Sequence, residues 1–266
     1  MVLSHAFARP KALAVVCVVT LTALGWLYLG WLMAEAGGPP FFGALCEPLV
    51  GARGDASQFA LVLSMWTAMV FAMMLPSAAP MILTYAEIAE TAARKSESIV
   101  SPFVLASGYA LVWLTFSAGA AFAQMTLTHA ALLNGNMTSV SALFSSTIFA
   151  AAGLYQFSAL KHACLKQCQH PFPFFFANWK TTASGVFGLG LKQGLYCLGC
   201  CWAMMLVMFA VGVMNAIWMA ALGAVMTIEK MSGGPRFSRT LGVILIAIGL
   251  VVAVTALTGS WPLSLK

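Results

Sequence analysis

Long apolar segments are the feature that most constrains how this chain can fold. A helix needs about 20 predominantly apolar residues to cross the hydrocarbon core of a bilayer. Of the 266 residues, 61% are hydrophobic and only 8% are charged. Segments of suitable length lie at about residues 12–33, 59–84, 103–127, 139–160, 191–211, 213–229 and 240–258. The sequence therefore predicts an all-α, polytopic transmembrane helix bundle of about seven spans, with residues 1–266 forming a single integral membrane domain.

Basic residues are concentrated on one predicted side of these spans. Cytoplasmic loops of membrane proteins are enriched in Lys and Arg. The opposite side receives only Arg53 and Lys266. This asymmetry predicts a cytoplasmic amino terminus, and it explains the net charge of +6 without a nucleic-acid partner. The residues assigned to the cytoplasmic side are Arg9, Lys11, Arg94, Lys95, Lys161, Lys166, Lys180, Lys192, Lys230, Arg236 and Arg239.

Sulfur-containing side chains are unusually dense in the fifth predicted span. Six of them fall within about three helical turns, and several recur at the three- and four-residue spacing that places side chains on one helix face. Thiolate and thioether are soft ligands that select Cu(I), and cysteine also suits zinc. The alternative is that Met and Cys serve as pliable apolar core residues. The six residues are Cys197, Cys200, Cys201, Met204, Met205 and Met208.

The second predicted span carries a further methionine stripe. Met65, Met69 and Met73 are spaced four residues apart and so share one helix face. Pro76 and Pro80 follow, and we expect them to kink or loosen the helix where protein or a cavity satisfies the freed carbonyls. A simple packing stripe remains the alternative.

A second cysteine pair, Cys164 and Cys168, follows the fourth predicted span. Its C-x-x-x-C spacing is neither a thioredoxin motif nor a zinc ribbon, and two thiols supply only half of a closed zinc site. The predicted topology places this pair beside the cysteines of the fifth span, at the cytoplasmic end of the bundle. We therefore expect the two clusters to share one metal, with methionines lying toward the middle and the outer side: Met65, Met69, Met73, Met74, Met204, Met205, Met208 and Met214.

Thiol redox chemistry is a rival interpretation. Cys197 and Cys200 form a C-x-x-C pair, and such pairs can have a lowered thiol pKa. A membrane thiol-disulfide oxidoreductase or a non-catalytic assembly factor is therefore a second hypothesis. The lone Cys46 in the first outer loop does not indicate a disulfide framework. No P-loop, ATPase or hydrolase motif is present, and we expect a protein that is not an enzyme.

Three stretches resemble the predicted metal-binding integral membrane proteins, a bacterial group sometimes labelled copper chaperones. They are MWTAMVFAMMLPSAAPMI, GLYQFSALKHACLKQC and GLYCLGCCWAMMLVMFAVGVMNAIWMAALGAVMTIEK. Together they cover the second, fourth, fifth and sixth spans. The resemblance implies a multi-pass protein of the bacterial inner membrane with a metal role, and the label of chaperone implies a metal-donor or acceptor protein as partner.

These observations lead to one hypothesis: capture, delivery or transfer of a soft transition metal within the membrane. Cu(I) is the expected metal, and zinc is the possible alternative. The expected partners are the lipid bilayer, the metal ion and a donor or acceptor protein. The candidate ligands are Cys164, Cys168, Cys197, Cys200, Cys201, Met204, Met205, Met208, Met65, Met69 and Met73.

Overall fold

The computed structural model describes residues 10–36, 55–95, 100–130, 142–212, 215–232 and 234–258. Within these ranges all regular structure is helical, which confirms the predicted all-α bundle. Cys46 and Met214 lie outside the described residues. The nine described helices are α1 (Pro10–Ala36), α2 (Asp55–Arg94), α3 (Pro102–His129), α4 (Ala142–Tyr155), α5 (Ala159–Gln169), α6 (Pro171–Ala177), α7 (Ala183–Val211), α8 (Ala216–Ser232) and α9 (Pro235–Leu257).

Five of the described helices, α1, α2, α3, α7 and α9, are long and apolar enough to cross a membrane. A sixth crossing results if α4 and α5 are counted as one span. The expected uninterrupted fourth span over 139–160 is wrong, because the chain bends by 65° between α4 and α5. The remaining predicted segment corresponds to α8, whose 17 residues lie at the short end of what a crossing requires.

Helix α2 continues as a single helix of 40 residues past two internal prolines, Pro76 and Pro80. Pro76 has no backbone N–H, so the carbonyl of Ala72, four residues earlier, loses its helical partner. The indole N–H of Trp26 on α1 donates to that carbonyl at 3.2 Å. Gly25 permits this approach, since a Cβ there would lie 3.0 Å from the Ala72 nitrogen. A neighbouring helix thus supplies the hydrogen bond that the proline removes.

Helices α3 and α7 cross at glycines that bring their backbones into close contact. A Cβ on Gly190 of α7 would collide with the Leu105 carbonyl of α3, and one on Gly108 would collide in turn with the backbone of α7. Small residues permit this kind of approach between apolar helices. The crossing places Tyr109 of α3 against Cys197 of α7.

A tight connection separates α7 from α8, as the sequence predicts near Gly212 and Asn215. Gly212 follows the end of α7 with a φ of 99°, a left-handed conformation that favours glycine. The Asn215 side-chain oxygen accepts hydrogen bonds from the backbone N–H groups of Ile217 and Trp218 at 3.1 and 3.2 Å, which caps the start of α8.

Candidate metal centre

Three buried cysteine thiols on α7 lie close to a fourth, partly exposed thiol on α5. Cys197, Cys200 and Cys201 are buried on α7, and the Sγ atoms of Cys200 and Cys201 are 3.3 Å apart. The Cys168 side chain on α5 reaches the thiols of Cys197 and Cys200. The bend between α4 and α5 turns α5 so that it lies along α7. The expected approach of the two cysteine clusters is therefore present for Cys168.

Cys164 also lies on α5, but it contacts a different part of α7 from Cys168. Its sulfur packs on α7 at Gly199, where an added Cβ would lie 2.7 Å from the Cys164 Sγ. The Tyr155 hydroxyl at the end of α4 donates a hydrogen bond to the carbonyl of the same Gly199 at 2.5 Å. Within the part of the chain that the structure describes, no hydrogen bond joins Cys164 to another thiol. Cys164 therefore contributes to the contact between helices.

A lysine ammonium is buried against this thiol cluster. Lys230 on α8 is only 6% exposed, and its Nζ donates to the Cys197 Sγ at 2.9 Å and to the Ser77 hydroxyl of α2 at 2.8 Å. The Tyr109 hydroxyl lies 3.0 Å from the same sulfur. Cys197 is therefore the point at which α2, α3, α7 and α8 meet. The assignment of Lys230 to a cytoplasmic loop is wrong, because the residue is helical and buried.

A buried ion pair between Lys161 and Glu229 holds α5, α8 and α9 together. Lys161 and Glu229 are 0% and 1% exposed at their side chains, and Lys161 Nζ lies 2.8 Å from Glu229 Oε2. The Ser238 hydroxyl donates to the other oxygen of the Glu229 carboxylate. Gln169 donates from its side-chain amide to the Glu229 backbone carbonyl at 2.9 Å. These bonds hold α5, which carries Cys168, against α8, which carries Lys230. The assignment of Lys161 to a cytoplasmic loop is also wrong, because the residue is helical and buried.

The sequence did contain a signal for these missed residues. Ionisable side chains within apolar segments are costly and commonly mark functional positions. Lys161, Glu229 and Lys230 lie at the ends of predicted spans, where charged residues ordinarily mark the boundary of the membrane. Ser77 and Tyr109 had no comparable signal, since a lone hydroxyl in an apolar helix is common.

All of the predicted methionine ligands are buried. The ring centroids of Trp66 on α2 and Phe209 on α7 lie 5.4 Å apart. Later in α2 and earlier in α7, Ser77 and Cys197 both accept hydrogen bonds from Lys230. Helices α2 and α7 therefore run antiparallel, and their methionines belong to one buried core cluster. The predicted ligands are Met65, Met69, Met73, Met204, Met205 and Met208; Met74, which the sequence placed beside them, is also buried, and the structure adds Met219 and Met226 in the same core.

Two further contacts orient these methionine side chains. Gln156, which lies in the bend between α4 and α5, donates from Nε2 to the Met204 sulfur at 3.1 Å. The Gln156 Oε1 atom is buried and has no partner among the described residues. On α8, a Cβ added to Gly223 would lie 3.4 Å from Met73 Cγ. Met219 and Met226 occupy the same helix at a seven-residue spacing, a signal that sequence reasoning passed over.

Helix α7 begins earlier than the fifth predicted span. The sequence placed the cysteines at the cytoplasmic end of that span, which was expected to begin at residue 191, and their depth in the membrane stays a prediction. Helix α7 instead begins at Ala183, so that Cys197 lies at its midpoint. The order of ligands along α7 is unchanged, with the thiols of Cys197 to Cys201 followed by the thioethers of Met204 to Met208.

The four thiols have suitable chemistry for a soft metal but are not arranged as a preformed site. No group of three or more His, Cys, Asp or Glu side chains in the described ranges has the geometry to hold a metal ion. Among the thiols, Cys200 and Cys201 lie within hydrogen-bonding distance of each other, and binding of a common ion would require side-chain rearrangement. Thiolate and thioether together favour Cu(I).

The fold and this cluster define a helical bundle of apolar helices around a buried, sulfur-rich centre. A family model described as copper chaperone, PpoB2, matches residues 63–252. The chain belongs to this copper chaperone family, and the predicted resemblance is confirmed. The match includes every candidate ligand and supports copper handling as the general role. No curated protein and no solved structure matches the chain.

Proposed function

We propose that this protein is a multi-pass protein of the bacterial inner membrane that binds Cu(I) as cargo and passes it on without catalysing a reaction. The observation that carries the proposal is the cluster of the buried thiols of Cys197, Cys200 and Cys201 on α7, with the partly exposed Cys168 of α5 close to Cys197 and Cys200. Soft sulfur ligands favour Cu(I), and membership of the copper chaperone family supports copper over zinc. The long apolar helices support the membrane location.

The charge of the site also favours a monovalent metal. Two thiolates that hold one Cu(I) carry a net charge of minus one. The ammonium of Lys230, which donates to Cys197, supplies the compensating positive charge. Because an uncompensated charge is costly inside a protein, the pair of Cu(I)-thiolate and ammonium is electrically balanced. A divalent ion held by two thiolates beside this ammonium would instead leave an excess positive charge.

The methionines provide weaker ligands next to the thiols. Thioethers are neutral and bind metal without losing a proton, whereas binding to cysteine requires deprotonation. Met208 and Met204 precede the cysteines when α7 is followed from its carboxyl end, and the α2 methionines belong to the same buried core cluster. A metal that moved from thioethers to thiolates would be held more tightly as it advanced. This order suits capture and delivery better than rapid conduction.

Metal analysis of the detergent-purified protein, prepared under reducing conditions, tests this proposal. We expect copper to co-purify or to bind on titration with Cu(I) in the presence of a competing chelator. The Cys168→Ser/Cys197→Ser variant should lose this binding, since the serine oxygen is a hard ligand. Zinc as the tightly bound metal, or no copper binding by the folded protein, would contradict the proposal.

The contact between Cys168 on α5 and Cys197 on α7 also supports a redox alternative, because two thiols from different helices can form a disulfide. Alkylation trapping followed by mass spectrometry distinguishes the two functions. A reversible Cys168–Cys197 disulfide in the absence of copper binding favours the oxidoreductase. Normal cellular function after loss of both the thiols and the methionines would favour a non-catalytic assembly factor.

A further inference from the structure

A cavity of about 600 Å³ opens between α5, the end of α8 and the start of α9, on the side of α5 that carries His162 and Lys166. Its described lining contains no acidic side chain. Four of the lining side chains are basic or can donate hydrogen bonds to an anion through an imidazole: His162, Lys166, His170 and Arg239. The cavity thus has the composition of an anion site.

The positive charge of this cavity is not neutralised by nearby carboxylates. Neither Lys166 nor Arg239 forms an ion pair with a described residue. The Glu229 carboxylate is already held by Lys161 and Ser238. In addition, α9 begins at the cavity with Gly234 as its N-cap, and no side chain caps its first amide groups. A helix amino terminus adds partial positive charge.

An exposed apolar face continues from the cavity along α9. Arg239 lines the cavity, and Val243 follows it four residues later on the same helix face. Val243, Leu250 and Val254 are all exposed. A molecule that placed an anionic group beside Arg239 could lay an apolar chain along these side chains. A free phosphate ion would use only the polar part of this surface.

We infer that the cavity binds the phosphate of an anionic phospholipid, whose acyl chains lie along α9. Basic pockets between membrane helices recognise anionic headgroups in this way, and Arg forms charge-assisted hydrogen bonds with phosphate oxygens. This inference rests on the membrane location in the proposed function. It adds a lipid ligand on the opposite side of α5 from the thiol cluster.

Electron paramagnetic resonance of spin-labelled lipids tests the inference in vesicles that contain the full-length protein. The immobilised fraction is measured for spin-labelled phosphatidylglycerol and phosphatidylcholine. We expect the wild-type protein to prefer phosphatidylglycerol, and Lys166→Gln/Arg239→Gln to lower this preference by about fivefold for each cation removed. The matched control is Lys180→Gln/Lys192→Gln, which removes the same charge at exposed positions outside the cavity.

Each result of the spin-label experiment either supports the lipid site or overturns it. Equal losses of preference in both double variants would show a general effect of surface charge and overturn the inference. Competition by millimolar inorganic phosphate that displaced the anionic lipid would identify the cavity as a site for free phosphate and also overturn it. A protein that inserted into vesicles and bound copper, but showed no lipid preference, would lose only this inference. A protein that failed to insert would overturn the membrane location as well.

Discussion

At the residue scale, the contact between Lys230 and Cys197 controls the charge of the site. The ammonium is buried and donates to one thiol and one hydroxyl, and no carboxylate of the described residues forms an ion pair with it. A copper-thiolate centre would give this ammonium an anionic partner. The ordered position of Lys230 depends in turn on Glu229, whose carboxylate and backbone carbonyl are both held by neighbouring helices. The two adjacent residues therefore link the site to the bundle.

Replacement of the buried ammonium is expected to weaken copper binding without unfolding the protein. Lys230→Met keeps an apolar side chain of similar length and removes the compensating charge. Residues that support a metal ligand typically change metal affinity by about 10- to 100-fold when mutated. Chelator competition with Cu(I) measures this change, and Lys192→Met, an exposed lysine on α7, is the control. An unchanged affinity in Lys230→Met would remove the charge-balance argument.

The two cysteines of α5 should differ in their effect on copper. Cys168→Ser removes a thiol that reaches Cys197 and Cys200, and it should strongly weaken Cu(I) binding. Cys164→Ser changes the same residue type one turn away, where the sulfur packs on Gly199, and it should leave affinity nearly unchanged. Equilibrium Cu(I) affinity of both variants checks this difference. Equal losses would mean that the ligand set includes Cys164.

The methionines of α2 should affect the arrival of metal more than its retention. Met69→Leu/Met73→Leu preserves volume and hydrophobicity but removes two thioethers. We expect equilibrium Cu(I) affinity to remain close to wild type while uptake into the site in proteoliposomes becomes slower. Met81→Leu, a buried position on the same helix beyond both prolines, is the control. If uptake is also normal in the double variant, the stripe serves only for packing.

At the element scale, close helix contacts position the site. Trp26 satisfies the carbonyl that Pro76 leaves free, and so α2 can carry methionines before the proline and Ser77 after it on one helix. The crossing of α3 and α7 places Tyr109 on Cys197. The bend between α4 and α5 brings Cys168 to α7. The proline in α2, the crossing of α3 with α7 and the bend between α4 and α5 therefore each bring one side chain to the centre.

Substitutions at two glycines of α7 distinguish the effect of close packing on stability from the effect of helix propensity. In Gly190→Ala the new methyl group would collide with the Leu105 carbonyl, and overpacking of this kind typically costs about 1–3 kcal/mol. Gly188 has nothing within 4 Å of an added Cβ, so Gly188→Ala should gain up to about 1 kcal/mol from helix propensity. Thermal unfolding in detergent compares the two variants. A Gly190→Ala protein as stable as Gly188→Ala would contradict the close crossing.

At the scale of the whole molecule, the relative directions of the helices agree with a chain whose successive spans run in opposite directions. Lys11 at the start of α1 lies 3.3 Å from Glu87 near the end of α2, so these helices run antiparallel. Helix α8 runs parallel to α2, because Met73 packs at Gly223 and Ser77 bonds to Lys230. Since α7 is antiparallel to α2, α8 returns across the bundle despite its 17 residues.

Reporter fusions test the resulting topology. We expect the amino terminus and the segment 161–192 to report as cytoplasmic, and a fusion after Lys266 to report from the opposite side. The basic residues Lys166, Lys180 and Lys192 support the inner location of that segment. A cytoplasmic signal from the carboxyl-terminal fusion would show that one crossing is absent, and the short helix α8 would be the first segment to reassign.

The sequence by itself determined the helical class, the apolar segments of membrane-spanning length and the sulfur-rich segments. Hydropathy and side-chain periodicity are local properties, so the stripes on α2 and α7 could be predicted from spacing alone. The copper chaperone resemblance likewise depended on contiguous motifs, and the family match confirmed it.

Only the tertiary structure decided which of these residues meet. Cys164 and Cys168 share one face of α5, so a shift of α5 by one turn along α7 would exchange them at the thiol cluster, and no local pattern fixes that register. The bend between α4 and α5, the Lys161–Glu229 pair and the earlier start of α7 together set it. Lys230 was assigned to a loop because charge usually marks the end of a span. It is buried because Cys197 of α7 and Ser77 of α2 accept hydrogen bonds from its ammonium, and these contacts arise only when segments far apart in sequence pack together.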